Sequence, residues 1–324
     1  MKPRVLVTYP IPQEAIEKLK NYADVKLKFS MSKDQLKEEV ADIEGVVLGL
    51  EEFDSKVMEQ APNLKIIARF GVGYDNIQLK AATDRNIFVT YTPNVLSDAV
   101  ADLTMAFILT LSRRITEADH FVKSKDWSRG NKFPLGFDLA DKTLGIVGLG
   151  RIGMKVLERS IAFKMNVIYN SRTHKMEAER KYGIKFVELD ELFRISDYIS
   201  IHVPSARNTQ GLVGKKELEL MKKTSFLINT SRGSLVHQRD LYEALRDKKI
   251  AGAALDVFEE EPIPQDDPLL KLENVVLTPH IGSGTYETRL SMAMMAIDDV
   301  IKVFEGKEPN NLINTELYES TFKQ

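Results

Sequence analysis

The 324-residue sequence contains no cysteine. This absence excludes disulfide bonds, thiolate nucleophiles and cysteine-ligated zinc. An excess of charge of one sign is also missing, because 45 Lys and Arg residues stand against 47 Asp and Glu residues. A balanced charge gives no electrostatic reason to expect a nucleic-acid partner. No apolar run has the length of a membrane span or the form of a signal peptide, so we expect a cytoplasmic protein with no membrane partner.

Histidine is scarce as well, with five residues in the chain. No two of them stand at a spacing typical of metal ligands, so the sequence predicts no metal site. We interpret His120 as a surface residue, His174 as a loop residue and His202 as a residue at the edge of a cofactor site.

Short apolar runs alternate with amphipathic helical segments along the whole chain. Five runs precede Asn94, one long helical segment follows from Val95 to about His120, and six further runs come after it. Strands that are continuously apolar and separated by helices are typical of parallel sheets covered on both faces. The residues after the last strand are too few for a domain, so we expect them to pack on the N-terminal unit. The fold class is therefore α/β, with two doubly wound domains and a six-stranded Rossmann domain inserted at residues 97–283.

The sequence GLGRIG at residues 148–153 directly follows a predicted strand and begins a helix. Gly148 permits a tight turn, Gly150 lets the backbone approach a pyrophosphate, and Gly153 lets the helix lie close to the strand. The helix N-terminus then faces the anion. We predict that the whole segment binds a dinucleotide: Gly148, Leu149, Gly150, Arg151, Ile152 and Gly153.

The end of the next predicted strand bears on the choice of dinucleotide. An Asp or Glu at this point holds the ribose 2′-hydroxyl of NAD, whereas an Arg accommodates the 2′-phosphate of NADP. This chain has Ser171, Arg172 and Thr173 here and no carboxylate. Arg172 can pair with a phosphate, and the two hydroxyl groups can act as further donors. We predict that NADP(H) is preferred and that NAD(H) use remains possible.

Three side chains near predicted strand ends suit the reduction of a 2-keto acid. The guanidinium of Arg232 can clamp the substrate carboxylate and polarise the carbonyl. The imidazole of His280 can deliver a proton near neutral pH. The carboxylate of Glu261, if it lies beside that imidazole, would favour the protonated ring and orient it. We predict that these three residues are catalytic.

Several motifs together resemble the D-2-hydroxyacid dehydrogenase family over essentially the whole chain, in particular its glyoxylate/hydroxypyruvate reductase branch. They are GVGYDN (71–76), GLGRIG (148–153), SRT (171–173), TSRG (230–233), LDVFEEEP (255–262) and PHIGS (279–283). The resemblance implies hydride transfer between NAD(P)H and a small 2-keto or 2-hydroxy acid, most of all glyoxylate or hydroxypyruvate reduction. It also implies a discontinuous flavodoxin-like substrate domain at residues 1–96 and 284–324, and a homodimer formed through the Rossmann domain.

The same resemblance implies roles for individual residues. Asp256 would orient the nicotinamide carboxamide, and the backbone amides of Val72 and Gly73 would receive the substrate carboxylate. Arg232, Leu50 and Ser283 would also contact the substrate. Further cofactor contacts would come from residues near later strand ends: Val203, Pro204, Thr209, Thr230, Ser231 and Gly282.

Some roles and functions stay open at this point. Arg69 could add charge to the substrate cleft or support a strand end, Trp127 aligns only loosely with an aromatic residue that reaches a neighbouring subunit, and His237 suits a helix start. Other substrates remain alternatives, including other 2-hydroxyacids, 2-ketogluconate and 3-phosphoglycerate, although the chain lacks a regulatory extension beyond Gln324. Formate and phosphite oxidation are less favoured. An NAD(H)-sensing co-repressor is the alternative outside enzymes.

Overall fold

The structure of the chain, a computed structural model, describes residues 2–317. Its strands are β1 (Arg4–Val7), β2 (Asp24–Leu27), β3 (Gly45–Leu48), β4 (Ile66–Arg69), β5 (Phe88–Thr90), β6 (Thr143–Val147), β7 (Asn166–Asn170), β8 (Lys185–Phe186), β9 (Tyr198–Ile201), β10 (Phe226–Asn229), β11 (Gly252–Leu255) and β12 (Val275–Leu277). Its α-helices are α1 (Gln13–Lys20), α2 (Lys33–Glu39), α3 (Ser55–Met58), α4 (Leu79–Thr83), α5 (Ser97–Arg113), α6 (Ile115–Lys123), α7 (Arg151–Ala162), α8 (Met176–Tyr182), α9 (Leu189–Ile195), α10 (Lys215–Leu220), α11 (Gln238–Arg246) and α12 (Tyr286–Phe304).

The described residues divide into two compact units. The second unit is Ser97–Gly282, and the residues on either side of it form the first. Ser283 therefore falls in the first unit, whereas the sequence places it at the end of the second. In the first unit, strands β1 to β5 form a parallel sheet in the order β2-β1-β3-β4-β5. This is the flavodoxin order, and its five strands are the five predicted from the apolar runs.

Helix α12 belongs to the first unit although it comes last in the chain. The Thr285 hydroxyl caps its first turn by accepting a hydrogen bond from the backbone N–H of Thr288. Its buried side chains recur at helical spacing, as in Met292, Ala296 and Val300, and the helix packs against α1 and β4. Burial of this apolar stripe explains why the C-terminal segment returns to the N-terminal sheet.

The second unit has a parallel sheet in the order β12-β11-β10-β9-β6-β7-β8. The strand order reverses between β6 and β9, which is the doubly wound Rossmann arrangement. The sequence predicts six strands here, and the structure adds a seventh, β8. Lys185 and Phe186 pair only with the end of β7, and neither side chain is fully buried. Such a short edge strand leaves no apolar run in the sequence.

The prediction of one long helix up to about His120 is wrong. The helical segment divides at Arg114, whose backbone is left-handed with φ 54°. The carbonyl of Ser112 accepts a hydrogen bond from the N–H of Phe137, and the Ser112 hydroxyl donates to the carbonyl of Phe137. A loop that is distant in sequence therefore takes the carbonyl that would otherwise continue the helix.

Both faces of the second sheet are buried. Neighbouring residues along one strand belong to different apolar clusters: Ile146 and Tyr169 lie on one side, and Val147 and Ile168 on the other. This two-sided burial explains why the strands are continuously apolar. In residues 2–317, no helix combines the length and apolar character needed to cross a membrane.

Candidate active site

The glycine-rich turn after β6 has the shape of a phosphate cradle. Gly148 has φ 97°, and a Cβ atom there would lie 2.6 Å from the carbonyl oxygen of His202, which follows β9. A Cβ atom on Gly153 would lie 2.2 Å from the carbonyl oxygen of Gly148, whereas one on Gly150 would meet nothing within 4 Å. Gly148 and Gly153 are thus required for close packing, whereas Gly150 leaves open space beside the backbone at the N-terminus of α7. These residues fit the pyrophosphate of a dinucleotide.

The other residues of this turn have different environments. The side chain of Leu149 is buried in the apolar core, so it faces the protein interior. Arg151 is exposed and Ile152 is partly buried. Val203 lies beside the turn. A Cβ atom added to Gly148 would be only 2.8 Å from the Val203 side chain. This contact places Val203 beside the candidate cofactor site.

The segment predicted to select the cofactor follows β7. Arg172 and Thr173 are exposed. The hydroxyl of Ser171 donates a hydrogen bond to the carbonyl oxygen of Thr173 at 2.6 Å. We expected the Ser171 hydroxyl to be a donor to phosphate, but in the structure it closes the turn that carries Arg172.

The hydroxyl groups expected at the cofactor site make internal contacts. The Thr209 hydroxyl donates to the carbonyl oxygen of Pro204 at 2.7 Å, which closes the loop after β9. The Ser231 hydroxyl donates to the carbonyl oxygen of Ile201 at 2.9 Å. Thr230 contacts Thr104 of α5 through their hydroxyl oxygens, 3.1 Å apart. These groups shape the edge of the sheet, and their contact with a cofactor stays a prediction.

Arg232 lies just beyond β10, at the carboxyl edge of the second sheet. The buried side chain of Asn229 shapes this turn, because its amide donates to the carbonyl of Arg232 at 2.8 Å and its oxygen accepts from the N–H of Ser231 at 3.0 Å. A Cβ atom on Gly233 would lie 1.9 Å from the carbonyl oxygen of Phe258. The turn that carries Arg232 is therefore pressed against the loop that leads to Glu261.

Glu261 and His280 form a hydrogen-bonded pair. Oε2 of Glu261 is 2.6 Å from Nδ1 of His280, with 26% and 28% of the two side chains exposed. The other carboxylate oxygen accepts from the N–H of Phe258 at 3.0 Å. Burial raises the pKa of Glu261. This effect is outweighed by the hydrogen bond and charge of His280, by the hydrogen bond from the Phe258 N–H and by the charge of Arg232, so the pKa of Glu261 lies below its usual value. Glu261 is therefore a carboxylate at neutral pH.

Asp256 holds the turn that presents His280. Its fully buried carboxylate accepts hydrogen bonds from the hydroxyl of Thr278 and from the N–H groups of Ile281 and Gly282, at 2.5, 2.7 and 2.7 Å. Burial raises the pKa of Asp256 more than these donors and the charge of His280 lower it.

The backbone of His280 is left-handed, with φ 53°, and its N–H donates to the carbonyl of Asp256 at 2.9 Å. Non-glycine residues in this region are often found at functional sites. This supporting role of Asp256 was not predicted, although its place one strand before the PHIG turn was a signal for it. An orienting role toward nicotinamide stays a prediction.

The first unit carries the other expected substrate residues. Val72 and Gly73 lie in the loop after β4. Nε of Arg69 donates to the carbonyl oxygen of Gly73 at 2.9 Å, and its Nη1 donates to the carbonyl oxygen of Phe70 at 2.6 Å. Only 4% of Arg69 is exposed. Of the two roles left open for Arg69, these contacts favour support of the strand end and its loop.

Two further expected substrate residues lie elsewhere in the first unit. Leu50 is exposed in the loop after β3. The carbonyl of Ser283 accepts a hydrogen bond from Nε of Arg289 at 3.1 Å. The loops after β3 and β4 are joined by Asn76, whose amide donates to the carbonyl oxygens of Gly49 and Glu51.

Trp127, His237 and His202 have different environments in the second unit. Trp127 is 70% exposed in the turn after α6, and His237 is exposed immediately before α11. Burial lowers the pKa of His202 to about 3, and its Nε2 lies 2.8 Å from the hydroxyl of Ser200. His202 is therefore neutral at physiological pH. In residues 2–317, no group of three or more His, Asp or Glu side chains could hold a metal ion.

Known proteins are similar to this chain in sequence and in fold. The family model described as D-isomer specific 2-hydroxyacid dehydrogenase, NAD binding domain, matches residues 105–282. Glyoxylate reductase of Korarchaeum cryptofilum is 44% identical over 98% of this chain and 97% of its own length. The glyoxylate reductase of Thermococcus litoralis is also 44% identical, over 99% of each chain.

Solved structures agree with these matches. The NADPH-dependent glyoxylate/hydroxypyruvate reductase from Sinorhizobium meliloti, in complex with NADP and malonate, superposes with a TM-score of 0.87 at 31% identity over 97% of each chain. A Thermus thermophilus protein gives a TM-score of 0.88 at 39% identity, covering 96% of this chain and 99% of the other.

The chain belongs to the D-isomer specific 2-hydroxyacid dehydrogenase family. It is an NAD(P)-dependent oxidoreductase with two parallel-sheet α/β units. The predictions of family, fold class and enzyme class are therefore confirmed.

Proposed function

We propose that this enzyme reduces glyoxylate or hydroxypyruvate with NADPH as the preferred cofactor. The observation that carries the proposal is the contact between Glu261 and His280, 2.6 Å apart, with the charge of Arg232 acting on the same carboxylate. A histidine paired with a carboxylate, near an arginine, can protonate the carbonyl oxygen of a small keto acid. Relatives named glyoxylate reductase, 44% identical over nearly the whole chain, support the choice of substrate.

Each catalytic residue has a distinct role in this proposal. Arg232 holds the substrate carboxylate and attracts the carbonyl oxygen as negative charge develops there. His280, protonated at both ring nitrogens, donates its Nε2 proton to that oxygen. Glu261 accepts the Nδ1–H bond, which orients the ring and stabilises its positive charge. The bound nicotinamide supplies the hydride.

The substrate screen that tests this proposal compares keto acids and cofactors in one assay. We expect the highest kcat/KM in steady-state reduction with glyoxylate or hydroxypyruvate, against pyruvate and 2-ketogluconate, and no comparable oxidation of 3-phosphoglycerate. Faster turnover of one of the other acids would replace the proposed substrate. A protein that binds NAD(P)H but turns over none of them would favour the co-repressor alternative.

The preference for NADPH rests on the exposed Arg172 beside the closed turn of Ser171. A neighbour described as NADPH-dependent and solved with NADP supports it. A charge-assisted bond to phosphate contributes about 1.5–3 kcal/mol, which corresponds to roughly 10- to 100-fold in affinity. We therefore expect Arg172→Ala to lose mainly NADPH efficiency and Ser171→Asp to favour NADH. Equal losses with both cofactors in Arg172→Ala would contradict this role.

We also propose that the first unit receives the substrate carboxylate through the backbone amides of Val72 and Gly73, with Leu50 and Ser283 nearby in the substrate site. The support is the rigid loop after β4, which Arg69 holds from inside through the carbonyl of Gly73. Leu50→Ala should change the ratio of kcat/KM for hydroxypyruvate over glyoxylate, because the two substrates differ in size. A ratio that stays constant would remove Leu50 from the substrate site.

We propose that the second unit forms a homodimer through exposed apolar side chains. Five exposed large apolar side chains come from residues 115–137, namely Ile115, Val122, Trp127, Leu135 and Phe137. Burying such side chains is the usual driving force of association. Leu135 is 91% exposed, so Leu135→Asp should convert a dimer into a monomer in light scattering, and Leu270→Asp, also at an exposed leucine, should not. A wild-type monomer would refute the proposal. Cytoplasmic location stays a prediction from the sequence.

A further inference from the structure

The loop between β7 and α8 is held at its far end by one buried hydroxyl group. Tyr169 lies near the end of β7, and its side chain is fully buried. The phenol donates a hydrogen bond to the carboxylate of Glu179 in α8. The same oxygen accepts a hydrogen bond from the backbone N–H of Lys175 at 2.7 Å. A single side chain therefore joins the strand, the end of the loop and the following helix.

An aromatic contact fixes the residue before Lys175. The ring of His174 stacks on Phe186 of β8, with centroids 4.0 Å apart and planes inclined by 28°. Tyr169 meets the same phenyl ring edge to face, at 5.6 Å. The loop thus rests on a small aromatic group whose buried member is Tyr169.

The near end of the loop is closed by a contact of its own. The hydroxyl of Ser171 donates to the carbonyl oxygen of Thr173 at 2.6 Å. Arg172 stands between these two residues, and its side chain is exposed. The backbone is therefore held on both sides of Arg172 while its guanidinium faces solvent.

The phenol keeps its proton under the conditions in which the enzyme works. Burial raises the pKa of Tyr169, and the hydrogen bond to the Glu179 carboxylate raises it further, against a smaller opposing effect of the Lys175 N–H. The hydroxyl therefore remains a donor to Glu179.

We propose that Tyr169 and Glu179 are positioning residues for cofactor choice, which hold Arg172 where it receives the 2′-phosphate of NADPH. The inference rests on the proposed NADPH preference and adds the residues that sustain it. A loop that is ordered before binding loses less conformational entropy when the ligand arrives, so its ligand binds more tightly. NADH lacks the 2′-phosphate, and its affinity should depend less on this loop.

The variant that tests the proposal is Tyr169→Phe, which removes the hydroxyl and keeps the buried ring. Binding to the full-length protein is measured by isothermal titration calorimetry with NADPH, NADH, 2′,5′-ADP and 5′-AMP. We expect affinity for NADPH and 2′,5′-ADP to fall by about 5- to 10-fold, because both hydrogen bonds of the phenol, to Glu179 and from the Lys175 N–H, are lost. Affinity for NADH and 5′-AMP should change by less than about twofold. Tyr198→Phe, at a buried tyrosine of β9, is the matched control and should leave all four affinities unchanged.

A second pair of variants changes the other side of the contact. Glu179→Gln keeps an oxygen that accepts from the phenol, so it should retain most of the NADPH affinity. Glu179→Ala removes the acceptor and should behave like Tyr169→Phe. Glu179 is only partly buried, so Glu179→Ala also serves as the test if Tyr169→Phe fails to fold.

The outcomes separate this inference from the proposed function. Wild-type protein that binds 2′,5′-ADP no more tightly than 5′-AMP would overturn the NADPH preference and this inference with it. A wild-type preference that Tyr169→Phe leaves intact would overturn this inference alone. Equal losses for NADPH and NADH would also overturn it, because Tyr169 would then support the whole unit.

Discussion

Replacing Glu261 by glutamine removes one negative charge from the catalytic pair and keeps the size of the side chain. In the wild type, that carboxylate is 2.6 Å from Nδ1 of His280 and favours the protonated ring. The amide of the variant is neutral and gives a protonated ring no charge of opposite sign. Because reduction requires this proton, the alkaline limb of the profile of kcat/KM for glyoxylate should move toward acid.

The size of the displacement follows from the strength of the contact. Glutamine keeps an oxygen that accepts from the Nδ1–H group, so the variant loses only the difference between a hydrogen bond to a charged partner, about 1.5–3 kcal/mol, and a neutral one, about 1 kcal/mol. Because about 1.4 kcal/mol corresponds to one pH unit, we expect a shift of roughly 0.4–1.5 pH units. Since 26% and 28% of the two side chains are exposed, solvent screens the pair only in part. The acid limb of the reverse oxidation, which requires the neutral ring, should shift in the same direction.

The measurement is a pair of steady-state pH profiles, one for each direction, in wild type and Glu261→Gln. Glu260→Gln is the matched control, because it removes the same charge from the neighbouring exposed position. Its profiles should coincide with those of the wild type. If Glu261→Gln lowers the rate while both limbs stay in place, Glu261 supports the loop but does not stabilise the charged ring, and the reasoning is refuted.

Two further predictions concern His280 as the proposed general acid and the contact between Gly233 and Phe258. His280→Ala should lower kcat by a factor of about 10²–10⁴, the usual contribution of general acid catalysis, while NADPH affinity stays nearly constant. His237 is an exposed histidine of the same unit, and His237→Ala should leave kcat unchanged. A small decrease of kcat in His280→Ala would contradict the proposed role of His280. Gly233→Ala should separate the Arg232 turn from the Glu261 loop, because its Cβ atom would lie 1.9 Å from the carbonyl oxygen of Phe258. The melting temperature and kcat should both fall in Gly233→Ala. Neither should fall in Gly214→Ala, where the atom nearest to the added Cβ would be 3.5 Å away. Equal behaviour of the two variants would contradict a fixed contact between Gly233 and Phe258.

Most strands could be predicted because they are buried on both faces. The runs at residues 144–147 and 167–169 are continuously apolar between polar segments, and burial of both faces is sufficient to produce that pattern. Strand β8 was missed because it is an edge strand of only two residues, which is too short to give an apolar run in the sequence. The helix break at Arg114 was missed because its cause, a hydrogen bond from Phe137, lies more than twenty residues away.

The sequence alone determined the chemistry of this protein, because glycine spacing and the residue types at strand ends are local properties. GLGRIG after a strand predicts a dinucleotide site, and Arg232, Glu261 and His280 are predicted to supply the charges that a keto acid requires. Tertiary structure decided which groups hold those residues in place. Asp256 reaches the His280 turn, and Tyr169 reaches Glu179, only because the folded chain brings their separate segments together. Partners of this kind leave no periodic signal in sequence, since a hydrogen bond depends on distance and direction in space.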